Sequence, residues 1–327
     1  MNNSELVQTL ASILLASAPL MIAVCGEIIT ERSGIVNLSL DGTMLMAAMT
    51  AFVVGLKADN IWVGLLAAMA VGALFAFIVA FGSIRLRQSM FAIGFVLTLL
   101  GDDLSAFLGQ NYTRIPGPVV KHFAIPVLKD IPILGPIFFD QDAVVYFAFL
   151  LVGLTWLLLF RTQPGLRLRS AGERPEAAFA RGVDVNRVRY LYAVLGGALV
   201  GIAGAAYSLD IKIGWSDGHT RGLGWIALAI VIFGGWSPVR GAVGAILFGA
   251  TKALATFLQR TFPEVSVVAF NSLPWLLMIG VLLLVSSEVS ERLIAIAPRA
   301  AQRPLRRMLR VSPPRALGAT FVEERTS

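Results

Sequence analysis

The chain has 327 residues, of which 57% are hydrophobic and only 14% charged, about half the charged share of an ordinary soluble domain. A mean hydropathy of +0.77 excludes both a soluble enzyme and a disordered or fibrous chain. The net charge of +7 would suggest nucleic acid as the partner of a soluble protein, but in a membrane protein it reflects Lys and Arg collecting on the cytoplasmic side, so no nucleic-acid partner is expected.

Apolar runs separated by charged or Gly/Pro-rich stretches predict spans over 6–29, 35–56, 61–82, 90–109, 143–160, 190–209, 223–236, 241–258 and 273–287. A crossing needs about 20 apolar residues, so the fold class is an all-α polytopic membrane protein with about nine transmembrane helices, eight to ten at the limits. The first run has no Lys or Arg before Arg32 and lacks the basic start of a secretory signal, so it is read as a retained span. Two runs are expected to be broken or re-entrant: the short 223–236, and 35–56, which carries Asn37, Ser39 and Asp41 near its start. The segment 110–142 holds five prolines and is too long for a tight hairpin, so it should fold over the outer mouth. Trp215, Asp217 and His219 read as an ordinary outer loop, with contact to a delivery protein as the other reading.

Residues 1–287 thus form one transmembrane domain, including the 110–142 outer loop and a 161–189 cytoplasmic segment, and 288–327 form a basic cytoplasmic tail. The tail, with Arg303, Pro304, Arg306, Arg307, Arg310, Pro313 and Pro314, reads as solvated or bound to lipid headgroups. If the N-terminus is outside, the inner segments hold 19 Lys and Arg and the outer ones seven, which predicts N-out and C-in. Small residues at helical spacing form three ridges: Ala68, Gly72, Ala76 and Ala80; Gly197, Gly201 and Ala205; Ala245 and Gly249. These predict close helix packing.

Catalytic and cofactor groups are not visible. The nearest stretch to a nucleotide-phosphate loop, Gly244 to Lys252, has Gly249-Ala250-Thr251 where Gly-Lys-Thr is needed. No protease or esterase motif occurs, Cys25 is a single cysteine, and His122 and His219 lack Cys or His neighbours at ligand spacing. No metal and no cofactor are expected, and ATP-driven work would require another chain to bind the ATP.

Intramembrane polar groups are the remaining candidates. An ionisable side chain at mid-bilayer costs at least ~2.5 kcal/mol, so Asp41, Asp102 and Asp103 should face protein or water rather than lipid. Asp41 has two readings, a hydrogen-bond partner that fixes a helix break or a substrate contact. Adjacent Asp102 and Asp103 point in different directions on a helix, so at least one lines a cavity. With Phe91, Phe95, Phe107, Asn111 and Tyr112 they offer stacking faces and hydrogen-bonding groups, as a nucleoside's base and ribose would require. The substrate-pathway candidates are Asn37, Asp41, Phe95, Asp102, Asp103 and Asn111.

The segment 161–189 contains Pro164 and Gly165 as breakers and then a short helix candidate from Gly172 to Gly182. Glu173, Pro175 and Glu176 sit near its start, Ala177, Ala178 and Phe179 follow, and Gly182 lies past its end. Two readings stand equal: a helix that docks into a partner's groove, or a loop helix lying on the membrane surface.

This stretch resembles the cytoplasmic coupling motif of ABC importer permeases, in which a Glu-Ala-Ala core followed by Gly enters a cleft of the ATPase subunit; here these are Glu176, Ala177, Ala178 and Gly182. The run Glu31-Arg32-Ser33-Gly34 through Asn37 to Asp41-Gly42 is similar to the E-R-S-G-x-x-N-x-x-x-E-G signature of the nucleoside, ribose and simple-sugar branch, with Asp41 where Glu is commoner. Phe233-Gly234-Gly235-Trp236-Ser237-Pro238 and Gly241 are similar to a Gly-Gly turn in that branch. The resemblance implies a translocation subunit of a bacterial inner-membrane importer that moves nucleosides or simple sugars by alternating access and is not itself an enzyme. It implies as partners a cytoplasmic ABC ATPase, a second permease subunit in a homodimer or heterodimer, an extracytoplasmic solute-binding protein and the lipid bilayer. Glu173, Pro175, Glu176, Ala177, Ala178, Phe179 and Gly182 would form the ATPase-coupling surface. The alternative is an ion-coupled secondary transporter or channel using Asp41, Asp102 and Asp103, which would not need the coupling helix.

Overall fold

The structure, a computed structural model, describes residues 3–285, residues 295, 296, 298 and 302, and residues 312–321. Arg303, Pro304, Arg306, Arg307 and Arg310 of the basic tail lie outside the described residues. In chain order the helices are α1 (Asn3–Arg32), α2 (Leu40–Ala58), α3 (Ile61–Ile84), α4 (Met90–Gly109), α5 (Ala143–Arg161), α6 (Gln163–Glu173), α7 (Pro175–Ala180), α8 (Val185–Ala206), α9 (Leu223–Phe233), α10 (Pro238–Thr261), α11 (Val267–Asn271) and α12 (Leu273–Val285). Seven of them, α1 to α5, α8 and α10, are long and apolar enough to cross a membrane, while α9 and the α11–α12 stretch are apolar but shorter. The protein is a polytopic all-α membrane protein.

Helix α1 is the axis of the bundle. It is apolar on nearly every side, and Ala18, Met21, Ile22, Ala23, Val24 and Ile28 are fully buried against α5, α8, α9 and α10. Around it the small-residue ridges pack as their spacing predicts. Gly72 of α3 meets the backbone of Gly197 and Gly201 on α8, Gly201 meets Ala68, and Gly249 of α10 meets Ser17 of α1, each so closely that a methyl group has no room. Lipid tails are as apolar as the side chains, so helix association here depends on such close van der Waals approach.

Of the two runs expected to be broken or re-entrant, 223–236 holds only a short helix, whereas 35–56 is not broken internally: α2 is continuous and long enough to cross, and only its approach is non-helical. Residues 35–39 are non-helical and α2 starts only at Leu40. Gly34 takes φ +98°, and the Asn37 side-chain carbonyl accepts from Ser39 N (3.1 Å) and Ser39 Oγ (2.6 Å), a local bonding pattern that competes with helix. Helix α9 has 11 residues, about 16 Å at ~1.5 Å per residue, or half of a ~30 Å hydrocarbon layer. Gly222 (φ +88°) precedes it, and Gly235 (φ +65°) with Trp236 (φ +53°) turns the chain after it.

The polar hairpin differs from expectation in one respect. Pro164 and Gly165, read as breakers, begin a helix: Thr162 Oγ1 accepts from Gly165 N at 3.1 Å and Pro164 occupies the first turn of α6. Proline there sacrifices no intrahelical bond. Helix α7 is correspondingly shorter than the Gly172–Gly182 candidate.

At the opposite end of the bundle, the loop 110–142 folds over the helix ends. Val120 N donates to Leu209 O (3.0 Å), Arg114 N to Trp215 O (3.4 Å), and β1 (His122–Ala124) pairs antiparallel with β2 (Asp140–Asp142). His122 bonds Asp142 through Nδ1 (2.8 Å) and Asp140 through Nε2 (2.9 Å), and these two partners raise its pKa above the usual histidine value. Trp215 and His219 are buried beneath this cover, whereas Asp217 is exposed.

Candidate functional site

The signature run around residues 31–42 grips both ends of the half-length helix α9. At the start of α9, Asp41 Oδ1 accepts from Gly222 N (2.8 Å) and Gly224 N (2.9 Å). At its end, Arg32 Nε and Nη2 donate to Trp236 O (3.2 and 3.1 Å), and the Trp236 indole N–H donates to the buried Glu31 carboxylate. An anion at the N-terminus and a cation at the C-terminus match the helix macrodipole at both ends. This gives a physical reason for the residue types: a short helix ending inside a membrane exposes amides and carbonyls that water cannot satisfy there. Asp41 is 4% exposed and Asn37 1%. Asp41 thus supplies the hydrogen bonds that fix a helix break, and the Asn37 carbonyl is used in the turn that leads to it.

Asp102 continues the line of polar groups. Arg221, next to Gly222, donates through Nη2 to Asp102 Oδ1 at 2.9 Å. Asp103 is exposed, and Phe91, Phe95 and Phe107 stand open on α4, between 51% and 67% exposed. Asn111 lies farther out, in the 3-10 turn Gln110–Tyr112 at the loop end. The structure therefore brings together Asp41 and Asp102 through the segment 221–224, places Phe95 and Asp103 on the open surface of the neighbouring helix, uses Asn37 within the buried turn before Asp41, and puts Asn111 out at the loop end.

Beside Arg221 lies a cavity of about 180 Å³ whose lining includes Tyr207, His219, Thr220, Arg221, Lys252 and Trp275. Lys252 Nζ donates to Tyr207 Oη at 3.1 Å, and the His219 ring lies edge-on to Tyr207 with centroids 5.6 Å apart. His219 Nε2 and Thr220 Oγ1 are buried without a hydrogen-bond partner among the described residues. Sequence reasoning placed His219 in an outer loop but did not join it to Tyr207, Lys252 or Trp275, since these residues come from four separated segments. A Lys inside an apolar run, facing an aromatic cluster, was the available signal.

At the other end, α7 exposes the coupling candidates selectively. Pro175 and Ala178 are buried, whereas Glu176, Ala177 and Phe179 are exposed, Phe179 at 41%. The helix closes with Gly182 at φ +81°, whose N–H donates to Phe179 O (2.8 Å). Glu173 reaches Arg32 at 3.7 Å, which joins this hairpin to the residue that holds the end of α9.

Apolar helices long enough to cross a membrane, with a clamped half-helix among them and a polar hairpin at one end, are the architecture of an integral membrane protein. The chain belongs to the family described as branched-chain amino acid transport system / permease component, whose profile matches residues 9–286. It is 36% identical over 297 residues to the guanosine ABC transporter permease protein NupQ of Bacillus subtilis, covering 84% of this chain and 92% of that protein. It is 35% identical to the nucleoside ABC transporter permease protein NupC of Lactococcus lactis, over 75% of this chain and 81% of that one. TsgC13 of Haloferax volcanii, an ABC transporter permease provisionally assigned to glucose, is 39% identical over 73% of this chain and 74% of its own. No solved structure matches the chain.

Proposed function

We propose that this protein is the permease subunit of an ATP-driven importer for nucleosides, working with a cytoplasmic ATPase, a second permease subunit and an extracytoplasmic solute-binding protein. The observation that carries the motor-driven reading is α7, a short helix anchored by Pro175 and Ala178 that turns Glu176, Ala177 and Phe179 outward. Its open side mixes the charged Glu176 with apolar Ala177 and Phe179, a combination that suits a groove on a partner protein. Support for nucleosides comes from NupQ and NupC and from the open aromatic surface of α4 beside Asp103, which suits a flat base and a hydroxylated sugar. The solute would pass along α4 and the 221–224 segment, where Asp102, Asp103, Arg221 and the His219–Lys252 cavity supply polar contacts. A weak site suffices, because a tight one would retain its cargo.

The α7 end would face the cytoplasm and the N-terminus the outside, a reading that the surplus of arginines in the segments at that end supports. Conformational switching follows from a motor that binds one state of the bundle better than the other. The test is uptake of labelled guanosine by proteoliposomes holding the permease pair and its ATPase, with the binding protein supplied outside. Glu176→Lys should abolish uptake at unchanged membrane expression. Full uptake by that variant, or by vesicles lacking the ATPase, would refute the proposal.

A further inference from the structure

The segment 312–321 packs against the bundle rather than standing in solvent. Ala316 N donates to Gly172 O (2.9 Å), Gly318 N to Gly34 O (3.0 Å) and Arg315 N to Glu173 Oε2 (3.4 Å), while Arg189 Nη1 donates to Ala319 O (2.8 Å). These four bonds reach three places that are far apart in sequence: the end of α6, the turn of the signature run, and the first turns of α8. Gly318 takes φ +76°, a conformation in which its N–H can point at Gly34. Phe321, 9% exposed, lies with its ring centroid 5.7 Å from that of Phe179 and shares a small apolar cluster with Ala171, Ala178 and Val185. Arg189 is 1% exposed at the centre of this arrangement. Arg315, exposed, joins Arg167, Arg174 and Arg181 in lining the groove beside α7.

We propose that residues 312–321 are a positioning strap for the coupling helix, which holds α7 in register with the Gly34 turn so that displacement of α7 is delivered to the signature run and α9. This rests on the motor-driven reading above. The strap is suited to the task because it bonds the two sites by backbone groups only two residues apart, Ala316 to Gly172 and Gly318 to Gly34, leaving little slack between them. Phe321 packs in one cluster with Ala178, on the buried side of α7, and against the ring of the half-open Phe179, while Glu176 and Ala177 stay free for the motor.

The experiment compares solute moved per ATP hydrolysed in the reconstituted complex for the wild-type chain, Phe321→Ala, Phe321→Tyr and a deletion of 312–321. Phe321→Ala should keep the ATPase bound and hydrolysing but lower the ratio at least fivefold. Phe321→Tyr, which keeps the ring, should restore it. The deletion should lower the ratio at least as much as Phe321→Ala, and if the deleted chain does not insert, the two point variants decide alone. An unchanged ratio in Phe321→Ala overturns the proposal, as does loss of the ATPase from its purified complex, which would make Phe321 a docking residue. If the wild-type chain itself never captures an ATPase, the motor-driven reading fails instead, so the two failures are separable.

Discussion

Replacing Asp41 tests whether one carboxylate holds the start of the half-helix. Asp41 Oδ1 takes two amide protons at the start of α9, from Gly222 and Gly224, at 2.8 and 2.9 Å. Asp41→Ala leaves two buried donors without an acceptor. At about 1–3 kcal/mol for each unsatisfied donor, the expected loss is about 2–6 kcal/mol. Asp41→Asn keeps an acceptor oxygen in place and loses only its charge, so the loss reduces to the charge-assisted part of two bonds plus the dipole interaction, offset by the lower cost of burying a neutral group. That net is about 1–2 kcal/mol. Reversible unfolding in mixed micelles titrated with SDS, followed by tryptophan fluorescence, reads both numbers. The reasoning is refuted if the alanine variant lies within ~0.5 kcal/mol of wild type, or if alanine and asparagine cost the same.

Gly201→Ala should destabilise by about 1–3 kcal/mol, because its methyl group meets the Ala68 backbone, which cannot rotate away. Gly153→Ala, where nothing lies within 4 Å, should be neutral or stabilising by up to ~1 kcal/mol; heating each in detergent and measuring the monodisperse fraction by size exclusion checks the pair. His122, exposed between Asp140 and Asp142, has its pKa raised above 6.5 by those two hydrogen bonds. Its contribution is fully present below pH 6.5 and is lost as pH rises through the raised value, since there the folded state binds more protons than the unfolded one. Protease nicking of the 110–142 loop should therefore accelerate as pH rises from 6 to 9, relative to a loop-free control substrate, and His122→Gln should flatten that dependence.

What was legible in the sequence was what depends on local spacing. The ridges on α3 and α8 could be read because small residues four apart share a helix face whatever the helix packs against. Asn37, Ser39 and Gly34 likewise announce a break from their own chemistry. The partners of the break could not be read in the same way. Asp41 meets Gly222 across 181 residues and Glu31 meets Trp236 across 205, and nothing in either neighbourhood encodes the other. The strap was hidden for a different reason. Its flanks are Arg- and Pro-rich, a composition that suggests solvation, whereas its packing depends on a few groups: Ala316, Gly318 and Phe321. Helix α6 was missed because Pro and Gly break a helix in its interior but are tolerated at its start, and Thr162 was not weighed as the cap that makes this a start.

The proposed route from α7 to α9 has two candidate links, which differ in magnitude. The visible electrostatic link is the 3.7 Å pair between Arg32 and Glu173, with Glu173 42% exposed. A pair of that exposure is worth about 0–1 kcal/mol, too little to transmit a push. The second link is steric: Gly172 stands against the backbone of Arg32 and Gly34 so closely that a Cβ has no room, and Gly172 and Gly34 are each hydrogen-bonded to the segment 312–321. Packed backbone does not yield gradually, so displacement of α6 moves Arg32, and Arg32 holds the carbonyl of Trp236 at the end of α9. Glu173→Gln should therefore leave uptake within about twofold of wild type, roughly 0.4 kcal/mol, whereas Gly172→Val should reduce it at least tenfold while the ATPase stays bound. Equal losses from the two variants would place the transmission in the ion pair and refute the steric route.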